Sequence, residues 1–269
     1  MINRFKILLA ALIILSGCSL KENSNIMGDS SNDSAHESNT VTFAKLVQSA
    51  HSKDSFLKKE TIQFNLKLFF GGNERLNGKI SLSTDGTMGK YEMLDGSELI
   101  FRHDSVFISE NYPKPESARF AAYTWSYFFL MPYKLDDPGT IWSAYEDTLL
   151  NGKTFKTAKL NFEAGTGDAP DDWYIVYADP NSMLMNTAAY IVTAGKSKDE
   201  AEKDPHAIQY SEYADIHGIP IAQRWDFYAW RADSGLTDTL GYAILENIKF
   251  DSHDESKFNQ DESVRFILE

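Results

Sequence analysis

Residues 61–83 read TIQFNLKLFFGGNERLNGKISLS and decide how the chain folds. Ile62, Phe64, Leu66, Leu68 and Phe70 stand at every second position, and Gln63, Asn65 and Lys67 stand between them. A period of two sends alternate side chains to opposite faces, so it predicts a strand with one buried face. Gly71-Gly72-Asn73 suits a tight turn, and Leu76, Ile80 and Leu82 continue the apolar pattern after it. The stretch therefore predicts an antiparallel hairpin.

The same pattern recurs along the chain, and the links between its segments are short. Further strands are expected at about 88–94, 97–102, 105–110, 140–149, 153–163, 172–178, 183–193, 206–214, 219–231 and 239–250. The dipeptides Asp85-Gly86, Asp95-Gly96 and Asn151-Gly152 supply the positive φ angles of tight hairpins. Parallel strands need long crossovers, so the pairing should be antiparallel, and a doubly wound nucleotide-binding fold is disfavoured.

Two segments carry helical rather than strand spacing. Thr42 to His51 places Phe43, Leu46, Val47 and Ala50 on one face, and Glu116 to Leu130 follows two prolines that suit a helix start. In the second helix, Phe120, Ala121, Trp125, Phe128 and Phe129 fall near one face, so it should pack on the sheet and serve as a lid. The polar segment at 196–204 predicts an exposed loop or a short solvated helix.

The N-terminal residues predict export from the cytoplasm and attachment to a membrane. Arg4 and Lys6 precede an apolar run, and Leu15-Ser16-Gly17-Cys18 then resembles a bacterial lipobox. We expect residues 1–17 to be removed as a signal peptide and Cys18 to carry diacylglycerol on its thiol and a third acyl chain such as palmitate on its amine. The apolar run is too short for a transmembrane helix, and a non-lipidated secretory signal is the closer alternative. Ser19 favours the outer membrane over the inner one, with the periplasmic face and the cell surface both open.

Composition divides the mature chain into a tether and one domain. Residues 18–39, serine- and asparagine-rich without an aromatic side chain, predict a lipidated cysteine and a disordered tether with a reach of about 25 Å. Residues 40–269 predict a single β domain, which has no disulfide because Cys18 is the sole cysteine. Loss of Arg4 and Lys6 with the signal changes the formal charge from −13 to −15. Such an acidic protein is a poor partner for nucleic acid.

The order of elements resembles a known architecture. A long antiparallel meander with an N-terminal helix and one inserted helix is similar to the lipoprotein-carrier (LolA/LolB-like) half-barrel. The run Met131 to Gly139 (MPYKLDDPG) resembles an uncharacterised Gram-negative lipoprotein family with a P-x-K-L-x-D-P-G core, and the runs at 165–179 and 213–220 are also similar to it. The resemblance implies a mainly antiparallel fold, in which one large curved sheet holds the N-terminal helix and the aromatic helix on its concave side. The family has no established activity.

Motifs for catalysis or cofactors are incomplete. Residues 165–170 begin like a dinucleotide fingerprint, but Pro170 replaces its third glycine, and no two histidines have the spacing of a zinc-binding helix. Asp168, Asp171 and Asp172 form a weak candidate for a calcium site, although aspartate is also an ordinary turn residue. We therefore expect no cofactor and no catalytic residue.

The aromatic side chains offer the strongest functional hint. A cavity between the helix and the sheet could be lined by Trp125, Phe128, Phe129, Trp142, Trp225, Phe227 and Trp230. The alternative is that these side chains fill the core completely. The preferred hypothesis is a non-enzymatic, membrane-anchored protein that binds a hydrophobic small molecule or acyl chain. The alternatives are a structural lipoprotein that binds an envelope protein partner and, less favoured, a hydrolase with a dispersed site.

Overall fold

The hairpin at residues 61–83 forms as its alternation predicts. A computed structural model describes residues 43–252, 255–259 and 264–267 of the chain. Strand β1 (Thr61–Phe70) pairs antiparallel with β2 (Asn73–Ser83). The inward side chains of β1 are buried from Ile62 to Leu68, and Phe70 is partly buried. The predictions for residues 1–17 and 18–39, including Cys18, lie outside the described residues.

All described strands join one large, open and curved antiparallel sheet. The others are β3 (Met88–Met93), β4 (Glu98–Arg102), β5 (Ser105–Ser109), β6 (Thr140–Trp142), β7 (Glu146–Leu150), β8 (Lys153–Phe162), β9 (Tyr174–Ala178), β10 (Met185–Tyr190), β11 (His206–Asp215), β12 (Pro220–Arg231), β13 (Gly235–Asp251) and β14 (Val264–Ile267). The strand order is β14-β5-β4-β3-β2-β1-β13-β12-β11-β10-β9-β8-β6, and β7 also pairs with β8. The predicted fold class, a mainly antiparallel half-barrel, is confirmed.

The long helix crosses the sheet because of this strand order. The first helix, α1, covers residues 43–50, and the short α2 spans Lys53–Leu57. Helix α3 (Ala118–Leu130) follows β5, which lies next to the edge strand β14, and leads to β6 at the opposite end of the sheet. A chain that links opposite ends must run across one face, and α3, about 20 Å long, covers much of that distance. None of the described helices has the length and apolar character needed to span a bilayer.

The buried face of α3 differs from the predicted one. Ala118 and Ala122 are fully buried against the sheet, whereas Phe120 is 41% exposed. The small alanines let the helix approach the strands closely, and the buried hydroxyl of Tyr91 donates a hydrogen bond of 3.0 Å to the Ala122 carbonyl. The apolar pattern identified the helix correctly, but Phe120, which it assigned to the packed face, is exposed.

The strand predicted at 140–149 is divided in two. Both β6 and β7 pair with β8, but three residues lie between Trp142 and Glu146 while two lie between their partners on β8, which indicates a bulge. The backbone N–H of Lys159 donates to Ser143 Oγ at this point, and Tyr145 stacks on Phe43 of α1 with ring centroids 5.7 Å apart. The irregularity therefore fixes α1 to the sheet edge.

Two smaller elements add to the predictions. Strand β14 pairs with β5 and extends the sheet beyond the last predicted strand. The polar segment at 196–204 contains the short helix α4 (Lys198–Ala201), which begins with a capping box between Ser197 and Glu200. Its Ala201 is fully buried, so this segment does contribute to a core.

The sheet carries a separate apolar cluster on each face. The larger one lies on the concave side, under α1 and α3, and includes Trp225 and Phe227 of β12. The smaller one lies on the convex side and includes Trp173, Trp230 and Ala201. Trp230 differs in parity from Trp225 and Phe227, so it points to the opposite face of the same strand. The prediction that Trp230 lines the concave cavity is therefore wrong.

Candidate functional site

A cavity of about 810 Å³ lies between α3 and the strands β8 to β10. Its border also includes residues 134–140 and 166–172. Apolar and aromatic side chains form much of its wall, among them Phe120, Phe128, Phe162, Tyr174, Tyr190 and Val192. Ligand pockets typically measure about 300–1,000 Å³ and have mostly apolar walls with a few polar groups. The cavity has the size and lining of a ligand site.

An ion pair ties α3 to a loop at the border of this cavity. The Arg119 guanidinium meets the Asp168 carboxylate in a two-pronged arrangement, with Nε–Oδ2 and Nη2–Oδ1 distances of 2.7 Å. Arg119 Nη1 also donates to the Asp104 carbonyl at 2.7 Å. Such paired contacts fix geometry as well as charge. Arg119 therefore holds the helix, the β4–β5 turn and the loop at 166–172 together.

A lysine holds the segment that follows α3. Lys134 Nζ contacts Asp137 Oδ2 at 3.0 Å and donates to the Asp85 carbonyl at 3.1 Å. Gly86 lies directly beneath this side chain and has a φ of 77°, so a Cβ at this position would contact Lys134 Cε at 2.7 Å. The β2–β3 turn thus requires glycine where Lys134 crosses it.

Two polar groups remain on the cavity wall with spare hydrogen-bonding capacity. Asp172 Oδ1 accepts hydrogen bonds from the N–H and the hydroxyl of Thr193, at 2.8 and 2.7 Å, while Oδ2 has no partner among the described residues. Burial raises the pKa of Asp172, although the Thr193 hydrogen bonds act in the opposite direction.

The second such group is Tyr127. Its hydroxyl oxygen is sheltered from solvent and has no hydrogen-bond partner in the described part of the chain. Burial, with help from the charges of Asp137 and Asp172, raises the pKa of Tyr127, so the phenol stays protonated as a donor. A buried polar group without a partner costs free energy, and a ligand that hydrogen-bonds to it would recover that cost.

Phe128 is the single member of the predicted aromatic set on the wall of this cavity. Phe129 stacks on Phe64 with ring centroids 4.4 Å apart, and Phe227 packs between Trp125 and Phe128. The structure therefore assigns Phe129, Trp125 and Phe227 to the packed interior.

Trp142 and Trp225 are also packed away from the cavity. The Trp142 ring lies 5.6 Å from that of Phe43, and its Nε1 donates to the Leu135 carbonyl at 2.7 Å. The Trp225 ring packs edge-on against Tyr210. Sequence reasoning missed the tyrosines and Val192, because a tyrosine in an alternating strand gives no sign of whether it faces a void or a neighbour.

Trp225 and Phe129 instead border a small pocket of about 20 Å³ beside His51, room for about one water molecule. The His51 Nε2 accepts a hydrogen bond of 3.0 Å from the Met185 N–H, and the ring also bonds to the Pro220 carbonyl. Desolvation lowers the pKa of His51 to about 4, so the ring is neutral at physiological pH. His51 joins the end of α1 to β10 and β12, which is a structural role.

The weak calcium candidate is not assembled. Asp168 is engaged by Arg119, Asp172 by Thr193, and Asp171 is exposed. In residues 43–252 and the two short described segments that follow, no group of three or more histidine, cysteine or acidic side chains is placed to hold a metal ion.

The half-barrel sheet with a helix across its concave face is a LolA-like fold, and solved structures share it. A LolA-superfamily protein from Nitrosomonas europaea aligns with 80% of this chain and 97% of its own, with a TM-score of 0.51 and 8% identity. A putative outer membrane lipoprotein-sorting protein domain from Vibrio parahaemolyticus covers 80% and 95%, with a TM-score of 0.51 and 10% identity. At such low identity the similarity establishes the fold alone.

Sequence comparison adds the family. The profile of a family of unknown function, DUF6503, matches residues 93–228, and the chain belongs to this family. The matched range contains α3 and most of the cavity wall. No curated protein matches the sequence significantly. The resemblance to lipoproteins with a P-x-K-L-x-D-P-G core stays a prediction.

Proposed function

We propose that the protein binds or carries a hydrophobic, lipid-like ligand in the cavity beneath α3, and that it does so without catalysis. The cavity of about 810 Å³, with its aromatic and aliphatic wall, carries the proposal. An acyl chain gains about 0.8 kcal/mol for each methylene that leaves water, so a wall of this kind can hold one without many polar contacts.

The proposed cellular context is the Gram-negative envelope. Lipidated Cys18 would anchor the protein, with the outer membrane favoured, and the tether at 18–39 would let the domain move within about 25 Å of the surface. The similarity to a lipoprotein-sorting domain is compatible with this context. An envelope protein that delivers or receives the ligand would be the natural partner.

The cavity favours ligand binding over the two alternatives. A purely structural lipoprotein would be expected to have a filled concave face. A hydrolase would be expected to gather histidine and carboxylate side chains in one cleft, but none of the described cavity-lining residues is a histidine, and the buried His51 is engaged by backbone groups elsewhere.

Native mass spectrometry of the protein purified from a Gram-negative host tests the proposal. Wild type should carry extractable lipid, and Val192→Trp, which places a large side chain in the cavity, should carry much less. Leu149→Trp is the matched control because Leu149 is 70% exposed on β7, away from the cavity. A wild type free of lipid, or equal lipid in Val192→Trp, would contradict ligand binding in this cavity.

A second experiment tests the anchor. Full-length protein should take up a labelled fatty acid and fractionate with membranes, and Cys18→Ala should do neither. Uptake of label by Cys18→Ala would exclude lipidation at this position.

A further inference from the structure

The cavity is lined by more acidic than basic side chains. Five carboxylates line it, those of Asp104, Glu116, Asp137, Asp168 and Asp172, against the two cations Arg119 and Lys134. Arg119 is bound to Asp168 and Lys134 to Asp137, so both cations already face a carboxylate of the cavity. A further negative charge would therefore enter a region with an excess of negative charge and would be repelled.

Asp172 is the most consequential of these carboxylates. It is partly buried on the wall, and its Oδ2 can accept hydrogen bonds that no described residue supplies. Asp171 and the exposed Lys196 also act on it electrostatically, with opposite signs. An ionised carboxylate can only accept, so the complementary ligand group must donate.

The Tyr127 hydroxyl requires a ligand group that accepts a hydrogen bond. Its hydroxyl lacks an acceptor, and it lies close enough to Asp172 for that charge to raise its pKa. A carboxylate on a ligand could accept from Tyr127 but not donate to Asp172, whereas an ammonium could donate to Asp172 but not accept from Tyr127. A hydroxyl can do both.

We propose that the cavity selects an uncharged amphiphile with a hydroxyl-bearing head group, of the monoacylglycerol class, and disfavours the fatty-acid anion of the same chain length. The chain lies against the wall formed by Phe128, Tyr190 and Val192, and a head-group hydroxyl hydrogen-bonds to Asp172 and Tyr127. This inference rests on the proposed function, because it names the ligand class of the same cavity.

The test compares three ligands that share one dodecyl-length chain: dodecanoylglycerol, dodecanoate and dodecylammonium. Titration calorimetry at about pH 8, below the micellar concentration of each, gives the three Kd values for the full-length protein. A hydrogen bond to a charged group contributes about 1.5–3 kcal/mol, so dodecanoylglycerol should bind at least about tenfold more tightly than dodecanoate. It should also bind more tightly than the ammonium, which leaves the Tyr127 hydroxyl without an acceptor.

Variants assign the selectivity to the two side chains. Asp172→Asn should reduce the disadvantage of dodecanoate to about threefold or less, because it removes a charge and keeps an acceptor for Thr193. Tyr127→Phe should weaken dodecanoylglycerol several-fold. Asp233→Asn is the control for net charge, since Asp233 lies in the exposed β12–β13 turn away from the cavity, and it should leave all three Kd values unchanged.

The possible outcomes distinguish a failure of ligand binding from a failure of head-group selectivity. If none of the three ligands binds, the proposed function fails together with the inference. If they bind but dodecanoate or the ammonium is as tight as dodecanoylglycerol, or if Asp172→Asn leaves the ratio unchanged, the cavity binds lipid without this selectivity and the inference alone fails. The three Kd values of the wild-type protein test the selectivity even if a variant folds poorly.

Discussion

Acidification should destabilise the fold through one buried side chain, His51. Its ring is 1% exposed, and its Nε2 accepts the Met185 N–H while the Pro220 carbonyl bonds to the ring. Protonation of Nε2 would replace this acceptor by a donor that faces another donor, inside a region that does not solvate charge. The folded state therefore requires the neutral ring.

The size of the effect follows from the pKa. An unfolded chain protonates His51 near pH 6.5, whereas burial lowers the folded-state pKa to about 4. One pKa unit corresponds to about 1.4 kcal/mol, so the gap is equivalent to about 3 kcal/mol in the free energy of unfolding. Because the unfolded state binds the proton first, this stability is present above pH 6.5, falls as the pH drops from 6.5 to about 4, and is fully lost below.

Urea denaturation at a series of pH values, followed by tryptophan fluorescence, measures this dependence. Wild type should lose about 3 kcal/mol between pH 6.5 and 4. His51→Gln, which keeps an acceptor for the Met185 N–H but cannot titrate, should be less stable at pH 7 and lose much less over this interval. Burial also lowers the pKa of the partly exposed His206, so His206→Gln serves as the control and should retain most of the wild-type slope.

Two results would refute the reasoning. One is an equal pH dependence in wild type and His51→Gln. The other is an NMR titration of the His51 ring in the folded wild-type protein with a midpoint near 6.5, a measurement that does not depend on the stability of any variant.

Three other substitutions test packing and access to the cavity. Phe56→Ala removes a ring that stacks on Tyr133 with centroids 3.7 Å apart and should cost about 3–5 kcal/mol by urea denaturation, with Phe56→Leu costing clearly less; equal losses would contradict the stacking argument. Gly241→Ala should destabilise by about 1–3 kcal/mol, because its Cβ would collide with the Phe69 backbone carbonyl, which cannot move aside without disturbing β1; an unchanged melting temperature would contradict this. Asp168→Asn should speed ligand release in stopped-flow experiments while changing stability by at most about 1 kcal/mol, since its carboxylate is half-exposed; an unchanged release rate would show that the ion pair does not control access.

The sequence predicts the elements well because their signals are local. The alternation around Phe64 reports which face of β1 is buried, and the Asn151-Gly152 turn adopts positive φ at both residues, as the dipeptide predicts. The boundaries of α3 follow from the prolines near its start and from Pro132, which lies within the single turn of 3₁₀-helix that follows Leu130. None of these features depends on distant parts of the chain.

The cavity wall could not be read in the same way, because it depends on contacts between distant segments. The pairing of β1 with β13 joins the strands that precede α3 to the strands that follow it in one sheet. It places β5 near one end of the sheet and β6 at the other, so α3 crosses the concave face. Whether an aromatic side chain then faces a void depends on the distance between the helix and each strand. No local sequence pattern indicates that distance. Trp230 is the exception, since its parity relative to Trp225 already placed it on the other face of β12.

The contacts of α3 also determine how a ligand could enter. Two buried tyrosines of the sheet bind the helix backbone, because Tyr91 donates to the Ala122 carbonyl at 3.0 Å and Tyr210 to the Phe128 carbonyl at 2.9 Å. Movement of the helix away from the sheet would break both hydrogen bonds and expose Ala118 and Ala122. Helix α3 is therefore a fixed wall of the cavity and not the movable lid expected from its sequence. The loop at 166–172 is held to α3 by the ion pair of Arg119 and Asp168. This ion pair is partly exposed, so solvent weakens it. Exchange of the ligand should therefore proceed by displacement of this loop, with the helix and the sheet staying in place.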